Sequence, residues 1–539
     1  MLIKRKKTYR YYFSYGAIVL VSLLGLYGLL LRYKPHAAVS AETRSDSITS
    51  VMLKVDAPAV TGLEYTLFGP KNVTEHTQVV GADHHKVATL PESLLHYPDP
   101  VVSHESFPEA VVVALTYPWA PKPDVQQAQY TTVLLDSLSL PVVSLSGPPG
   151  YFFGKKGFYS VKDEHSEETP HTIHVELIDT TQASRFSVSA EASVAGYSSK
   201  ELPMKSLNLR FDTSLPDSLI FGDTLATPLH SVRLRNAGND FLLAYMRDVV
   251  VSSLSQPTEA VGLRYQPVVV FVNGEFWGVQ YLREHISEEN LRAKHPELQR
   301  DQIQLGELNK DKVLVISNGF DYKLGRLTDF MEQKDLHQTQ HYDSLSRLID
   351  IPSFIDYIAI QTFVSNSDWP QNNVKGVFLD NKFYFLLYDT DFAFDYPTYY
   401  QEEVGNYFHW PDRIHDLNAQ THDYFDSLDH YIPSHVGKIY RMLIEVPAFR
   451  EQFINRYREL LEGPLSQNRI EHVVEDVHDQ IAPLMPQHIA RWGYPVSFGD
   501  WQNNVQQISQ FCAIRRHYIY KQLNRLEKHQ STPPIASGK

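Results

Sequence analysis

Only one cysteine, Cys512, occurs in the 539 residues. A lone thiol excludes an intramolecular disulfide framework and any paired-cysteine redox or zinc site. It falls in a helical pattern and reads as core. Charge is sparse: Asp, Glu, Lys and Arg make up 21% of the chain against 43% apolar residues, the balance of a globular protein rather than a disordered one. Basic residues are the minority, 49 Lys and Arg against 63 Asp and Glu, for a net charge of −14. That deficit argues against nucleic acid as a partner, because its phosphates need cations, and leaves basic proteins as tolerated substrates. The 24 His show no metal-ligand spacing, and no internal repeat is visible. At this length two or more folding units are expected.

One uncharged run stands out. Residues 13–31 (FSYGAIVLVSLLGLYGLLL) contain no charge and reach about 28 Å as a helix at roughly 1.5 Å per residue. Lys4, Arg5, Lys6, Lys7 and Arg10 precede them, which predicts a cytoplasmic N-terminus. Residues 1–34 therefore read as a basic tail and a transmembrane signal-anchor, with the main domain extracytoplasmic. The alternative is a cleaved signal peptide with Val39-Ser-Ala41 at the cut, which would make the protein secreted.

Beyond a linker at 35–50, short β-rich runs (Val51–Val55, Glu64–Phe68, Ala110–Thr116, Tyr130–Leu135) predict a small β-sandwich over 51–136. A second unit spans 140–525, and 526–539 reads as a disordered tail. In this unit, strands are expected at Leu140–Leu145, His171–Ile178, Arg185–Val194 and Met204–Phe211. A helix capped by Asp240 should run to Leu254. An Asn273-Gly274 hairpin follows, then helices near 287–295, 322–333 and 342–365, a hairpin over Val377–Tyr388, and helices after 436.

The chemistry concentrates in two segments. The first is Asp368-Trp-Pro-Gln-Asn-Asn373; the second, after the hairpin, is Asp389-Thr-Asp391-Phe392. An Asp that orients a hydroxyl, followed by an Asn and a second Asp that hold Mg²⁺ against ATP phosphates, is the set phosphoryl transfer needs. Asp368 would be the catalytic acid-base group. Asn373 and Asp391 would be hard oxygen ligands, with Asp389 a second carboxylate on the same side of an extended chain. His-Arg-Asp and Asp-Phe-Gly are absent as such, and each segment read singly is equally an Asx-type turn. Lys205 is the candidate strand lysine for the ATP phosphates, or simply an exposed lysine. Gly196-Tyr-Ser-Ser-Lys200 is the nearest approach to a phosphate-covering loop. Asp248 is the acid available to pair with Lys205. Arg233, Arg235 and Arg247 are further phosphate candidates. Glu284, after the hairpin, reads as an adenosine contact or as a helix N-terminal acid.

The order of elements matches a bilobal protein-kinase-like α+β fold, a small β-rich lobe followed by a helical lobe. Arg235-Asn-Ala-Gly-Asn-Asp240 with Met246-Arg-Asp248, then Pro267–Gly278 with Arg283-Glu284, then Asn366–Asn373 and Tyr388-Asp-Thr-Asp-Phe392 together resemble the spore-coat CotH family of atypical protein kinases. The resemblance runs from about Leu140 to Leu523. It implies Mg²⁺-dependent, or Mn²⁺-dependent, transfer of the ATP γ-phosphate to Ser or Thr of secreted, surface or coat proteins, with the family's essential acids on Asp368 and Asp391. Ala237 departs from the family's more usual Gly and alters loop freedom. Two other readings share these residues: a catalytically silent surface-binding, adhesion or coat-assembly protein on the same fold, and a metal-dependent hydrolase.

Overall fold

The structure is a computed structural model. It describes residues 137–396 apart from 163–165, 167, 223–226, 309–313, 317–326, 328–329, 331–332 and 371, residues 435–528, and seven strands between 36 and 134. Those strands are β1 (His36–Arg44), β2 (Ser47–Asp56), β3 (Glu64–Phe68), β4 (Glu75–Gln78), β5 (His85–Ala88), β6 (Ala110–Thr116) and β7 (Gln129–Leu134). They form two sheets, in the orders β1-β2-β5 and β4-β3-β6-β7. β7 meets the next unit directly: Thr132 N donates to Glu176 Oε2 at 2.9 Å, and its hydroxyl donates to Ser144 Oγ at 2.7 Å.

The centre of the molecule is a closed barrel. Its strands are β8 (Val142–Ser146), β9 (His171–Ile178), β10 (Ser184–Ala195), β11 (Ser206–Pro216), β12 (Pro228–Arg235), β13 (Tyr265–Val272) and β14 (Glu275–Glu284), in the order β10-β11-β12-β14-β13-β8-β9. Neighbours pair antiparallel except β13 with β8, which run parallel with Val269 opposite Val142. Asn273 and Gly274 take positive φ of 49 and 81°, the mirror-image turn that an Asn-Gly hairpin requires.

The run Val268-Val-Val-Phe-Val272 explains why the sheet closes. Val268, Val270 and Val272 pack inside the barrel with Val143, Leu145, Val175 and Leu177. Val269 and Phe271 face outward into a second core, shared with the helices through Ile355, Ile358, Phe363, Phe453, Tyr457 and Phe511. A strand buried on both faces reads as a continuous apolar run. The bilobal kinase-like arrangement expected from the element order is therefore corrected. Among the described residues a closed barrel, rather than an open small lobe, carries the helices on its outer face through one continuous core.

Helix Ile351–Phe363 lies at the middle of that second core, with every residue but Pro352 buried. Asp350 caps it, accepting from Ser353 N at 3.0 Å. Pro352 sits in the first turn, where its missing N–H costs nothing. The helix expected over 342–365 is consequently two, Thr339–Leu345 and Ile351–Phe363. β15 (Ile303–Leu308), β16 (Leu314–Ile316), β17 (Lys375–Leu379) and β18 (Lys382–Leu386) form a separate antiparallel sheet in the order β16-β15-β17-β18. Helices His435–Ile444, Pro447–Glu462, Gln467–Ile481, Met485–Trp492 and Phe498–Lys528 complete the chain. Cys512 is buried and free.

The membrane-anchored localisation is corrected as well. Among the described residues no helix is long and apolar enough to cross a membrane. The longest, Phe498–Lys528, has the length but carries Asp500, Arg515, Arg516, Lys521, Arg525 and Glu527. The apolar run 13–31 and the tail 529–539 lie outside the described residues.

Candidate functional site

Two loops build the site. The first leaves helix Ile351–Phe363, turns at Ser365 (φ 51°) and presents Asp368. Asp368 is buried. Its Oδ1 accepts from Asn372 Nδ2 at 2.8 Å and its Oδ2 from Asn373 Nδ2 at 2.5 Å. The second loop leaves β18 and carries Asp389, Thr390 and Asp391. Backbone bonds tie the two together: Phe394 N donates to Val364 O at 2.7 Å, and Ser367 N to Phe392 O at 3.4 Å. Asn373 Nδ2 also reaches the Asp389 carbonyl at 3.4 Å. Asp368, Asn373, Asp389 and Asp391 therefore belong to one site.

The second loop is not the extended segment expected from alternation. Asp389 has φ 56°, and Phe394 and Asp395 both have 57°; Asn373 across from them has 54°. Left-handed backbone costs an L-residue about 1–2 kcal/mol each, and such strain gathers where a site needs a geometry regular structure does not supply.

Asp391 is 1% exposed. Its Oδ2 accepts from Asn239 N at 2.7 Å and Asn239 Nδ2 at 3.2 Å. Its Oδ1, although buried, has no hydrogen-bond partner. Burial, then the neighbouring Asp389, pushes its carboxyl well above the usual carboxylate range, against the opposing pull of Arg235. Asn239 reaches it because Ala237 and Gly238 both take positive φ, 66 and 64°. Gly238 packs so closely that a Cβ there would lie 2.1 Å from Asp391 Oδ2.

Arg235 stands behind the pair. Its Nε lies 3.1 Å from Asp248 Oδ2, and its Nη2 pairs with Asp389 Oδ1 and lies 3.6 Å from Asp391 Oδ2. Asp248 also binds Arg283 and accepts on Oδ1 from Thr390 N at 3.1 Å and Thr390 Oγ1 at 2.9 Å. Burial alone would raise its carboxyl, but Arg283, Arg235 and Thr390 outweigh burial and hold it at about 2. Asp240 has another task. Its carboxylate accepts from the backbone N of Ala244, Met246 and Arg247 at 3.1, 2.8 and 2.9 Å and pairs with Arg247. The helix is thus Arg247–Ser255, preceded by a 3₁₀ turn at Gly238–Leu242, because Tyr245 (φ 63°) interrupts the expected continuous run from Asp240.

Lys205 and Glu284 are not brought to these carboxylates. Lys205 Nζ donates to Leu202 O at 2.8 Å and to Lys200 O, and burial lowers its ammonium to about 8 despite nearby Glu201. It does not pair with Asp248, whose partners are arginines. The Gly196–Lys200 stretch holds a 3₁₀ turn, Ser198–Glu201, with Lys200 paired to Glu168. Glu284 is buried between Lys294 and Arg264, and Arg264 reaches on to Asp217 at 3.0 Å. Of the phosphate candidates, Arg233 donates to Asn208 Oδ1 at 2.8 Å and to the Tyr388 hydroxyl at 3.0 Å.

Among the described residues no three His, Cys, Asp or Glu side chains converge on a metal position. Asp391 and Asp389 both lie against Arg235, and Asn373 reaches the Asp389 carbonyl; Mg²⁺ takes few protein ligands, leaving its other positions to phosphates and water. The buried, unpartnered Asp391 Oδ1 is an acceptor in want of a cation or donor, so this donor set fits a hard divalent ion. Sequence reasoning missed Asn239, Thr390 and the steric demand at Gly238. The signal for Asn239 and Gly238 was the Arg235-Asn-Ala-Gly-Asn-Asp240 string, one of the motifs that carry the resemblance, and that for Thr390 its place between Asp389 and Asp391. Residues 192–519 match the family model described as CotH kinase protein, well over half the chain. No curated protein matches it.

Proposed function

Because the chain belongs to the CotH kinase protein family, we propose that it transfers the γ-phosphate of ATP, with Mg²⁺ or Mn²⁺, to Ser or Thr hydroxyls of a protein substrate. Asp391 carries this reading: one of its oxygens is bound by Asn239 and the other is buried with no partner. A divalent ion there would neutralise charge on the phosphates. Asp391 and Asp389 would hold it, with Asn373 Oδ1 opposite the amide nitrogen that binds Asp368. Asp368, on the adjoining loop, orients the acceptor hydroxyl and takes its proton. The hydroxyl oxygen forms the new bond to phosphorus as the bond to the diphosphate oxygen breaks, and the electron pair leaves with ADP. Such a reaction needs positioning and charge neutralisation more than covalent help, which suits two loops locked together by backbone bonds. The acidic chain favours a basic substrate.

The test is transfer of ³²P from ATP by the purified chain, with Mg²⁺ or Mn²⁺ and a basic Ser-rich acceptor. We expect label that Asp391→Ala and Asp368→Asn both abolish. Asp368→Asn should keep nucleotide- and metal-dependent thermal stabilisation, whereas Asp391→Ala loses it. No label above the Asp391→Ala background would overturn the reading.

A further inference from the structure

We propose that Arg235 is the positioning residue of this site: one buried guanidinium aligns Asp389 and Asp391 for a divalent cation while leaving Asp391 Oδ1 open. The inference rests on the phosphoryl-transfer reading above and goes beyond it by naming what sets the metal site's shape.

The contacts divide the work. Arg235 Nη2 pairs with Asp389 but stands 3.6 Å from Asp391 Oδ2, too far for a hydrogen bond. Asn239 fills that oxygen instead. Arg235 therefore compensates the charge of Asp391 without occupying its coordination. Asp389 and Asp391, two residues apart, repel each other, and the carboxylates of both lie against the Arg235 guanidinium.

The guanidinium is itself fixed from behind. Its Nε lies 3.1 Å from Asp248 Oδ2, an ion-pair contact without hydrogen-bond geometry. Asp248 is gripped by Arg283 and by both the backbone and hydroxyl of Thr390, the residue between Asp389 and Asp391. The loop thus holds Asp248, Asp248 holds Arg235, and Arg235 holds the loop. The planar fork meets Asp248 with Nε and Asp389 with Nη2 at once; the point charge of lysine does not.

The experiment is Mn²⁺ titration of the full-length chain by calorimetry and by electron paramagnetic resonance, in the absence of nucleotide. Arg235→Lys should bind Mn²⁺ about tenfold more weakly, the usual lower range for losing a group that orients a metal ligand. Arg456→Lys, whose partner Asp356 lies outside this cluster, should lose stability and keep wild-type affinity. Equal affinity in wild type and Arg235→Lys overturns the proposal and leaves the kinase reading standing. So does an equal loss in Arg235→Lys and Arg456→Lys, which would mark the effect as merely structural. No Mn²⁺ binding by the wild-type chain overturns both readings together. Should Arg235→Lys fail to fold, Thr390→Val, which removes one bond to Asp248 behind Arg235, takes its place: affinity lowered severalfold supports the relay, and unchanged affinity overturns it.

Discussion

Asn239 N donates to Asp391 Oδ2 at 2.7 Å, across 152 residues of chain. This bond joins the turn after β12 to the loop after β18. It determines which oxygen of Asp391 is spoken for and which is left open.

Gly238→Ala should be among the most damaging small substitutions in the chain. The new methyl would meet Asp391 Oδ2 at 2.1 Å and Arg235 Nη2 at 2.7 Å, at a residue with φ 64°. Left-handed strain of about 1–2 kcal/mol adds to displacement of a buried ion-pair cluster. We expect a lower midpoint in urea unfolding together with loss of metal-dependent stabilisation. A variant with wild-type Tm and metal response would show that the turn can move aside.

Asp248→Asn should cost about 3–5 kcal/mol at neutral pH, because it leaves Arg235 and Arg283 buried with their shared acid gone. The folded carboxyl sits at about 2 against 3.8 for the free group. Its stabilisation is therefore complete above pH 3.8 and is lost as pH falls toward 2. Urea melts of wild type and variant should converge across that window. A gap that stayed constant down to pH 2 would contradict this ion-pair account.

Lys205 gives the opposite pH dependence. Burial lowers its ammonium to about 8 from 10.5, so the folded chain holds fewer protons than the unfolded chain between those values, and stability attributable to this group rises with pH there. Relative to Lys205→Met, the wild type should gain stability from pH 8 to 10.5. The same variant tests the role first assigned to this lysine. With its ammonium donated to Lys200 O and Leu202 O, we expect ATP-induced thermal stabilisation to survive its removal, and a lost ATP response would restore the phosphate-anchoring role.

Asp356 tests the scaffold apart from the chemistry. It is fully buried, accepts from Arg456 Nε and Nη2 at 2.9 and 2.8 Å, and takes a third bond from Glu259 N at 2.9 Å. Asp356→Ala removes two bonds from the partly exposed Arg456, which keeps Glu459, and leaves the Glu259 backbone N–H unpaired, for about 1–3 kcal/mol. The expected signature is a lower urea midpoint with Mn²⁺ affinity unchanged in the protein that remains folded.

Much of this was legible residue by residue. His171–Ile178 is a strand with the bounds its alternation predicts, and the Asn-Gly hairpin forms as its turn chemistry requires. The two acidic loops do lie side by side. What failed was local inference about backbone shape. Tyr245 and Asp389 take left-handed conformations that hydropathy patterning does not register, so the helix is shorter and the loop more bent than the pattern predicts. Asp248, the nearest acid on offer to Lys205 in a helix without Glu, pairs instead with Arg235 and Arg283, which the fold brings closer.

Composition, the Asn-Gly hairpin and the acidic motifs in their order determined by themselves a globular chain, a strand pair at 265–284 and two carboxylate-bearing loops, since periodicity and functional-group chemistry are local properties. Tertiary structure alone decided that β8 closes on β13, that Asn239 reaches Asp391, and that Arg235 rather than Lys205 sits among the acids. Each of these depends on distances between residues far apart in sequence, and charge or hydropathy says what a side chain seeks but not which partner the folded backbone brings within reach.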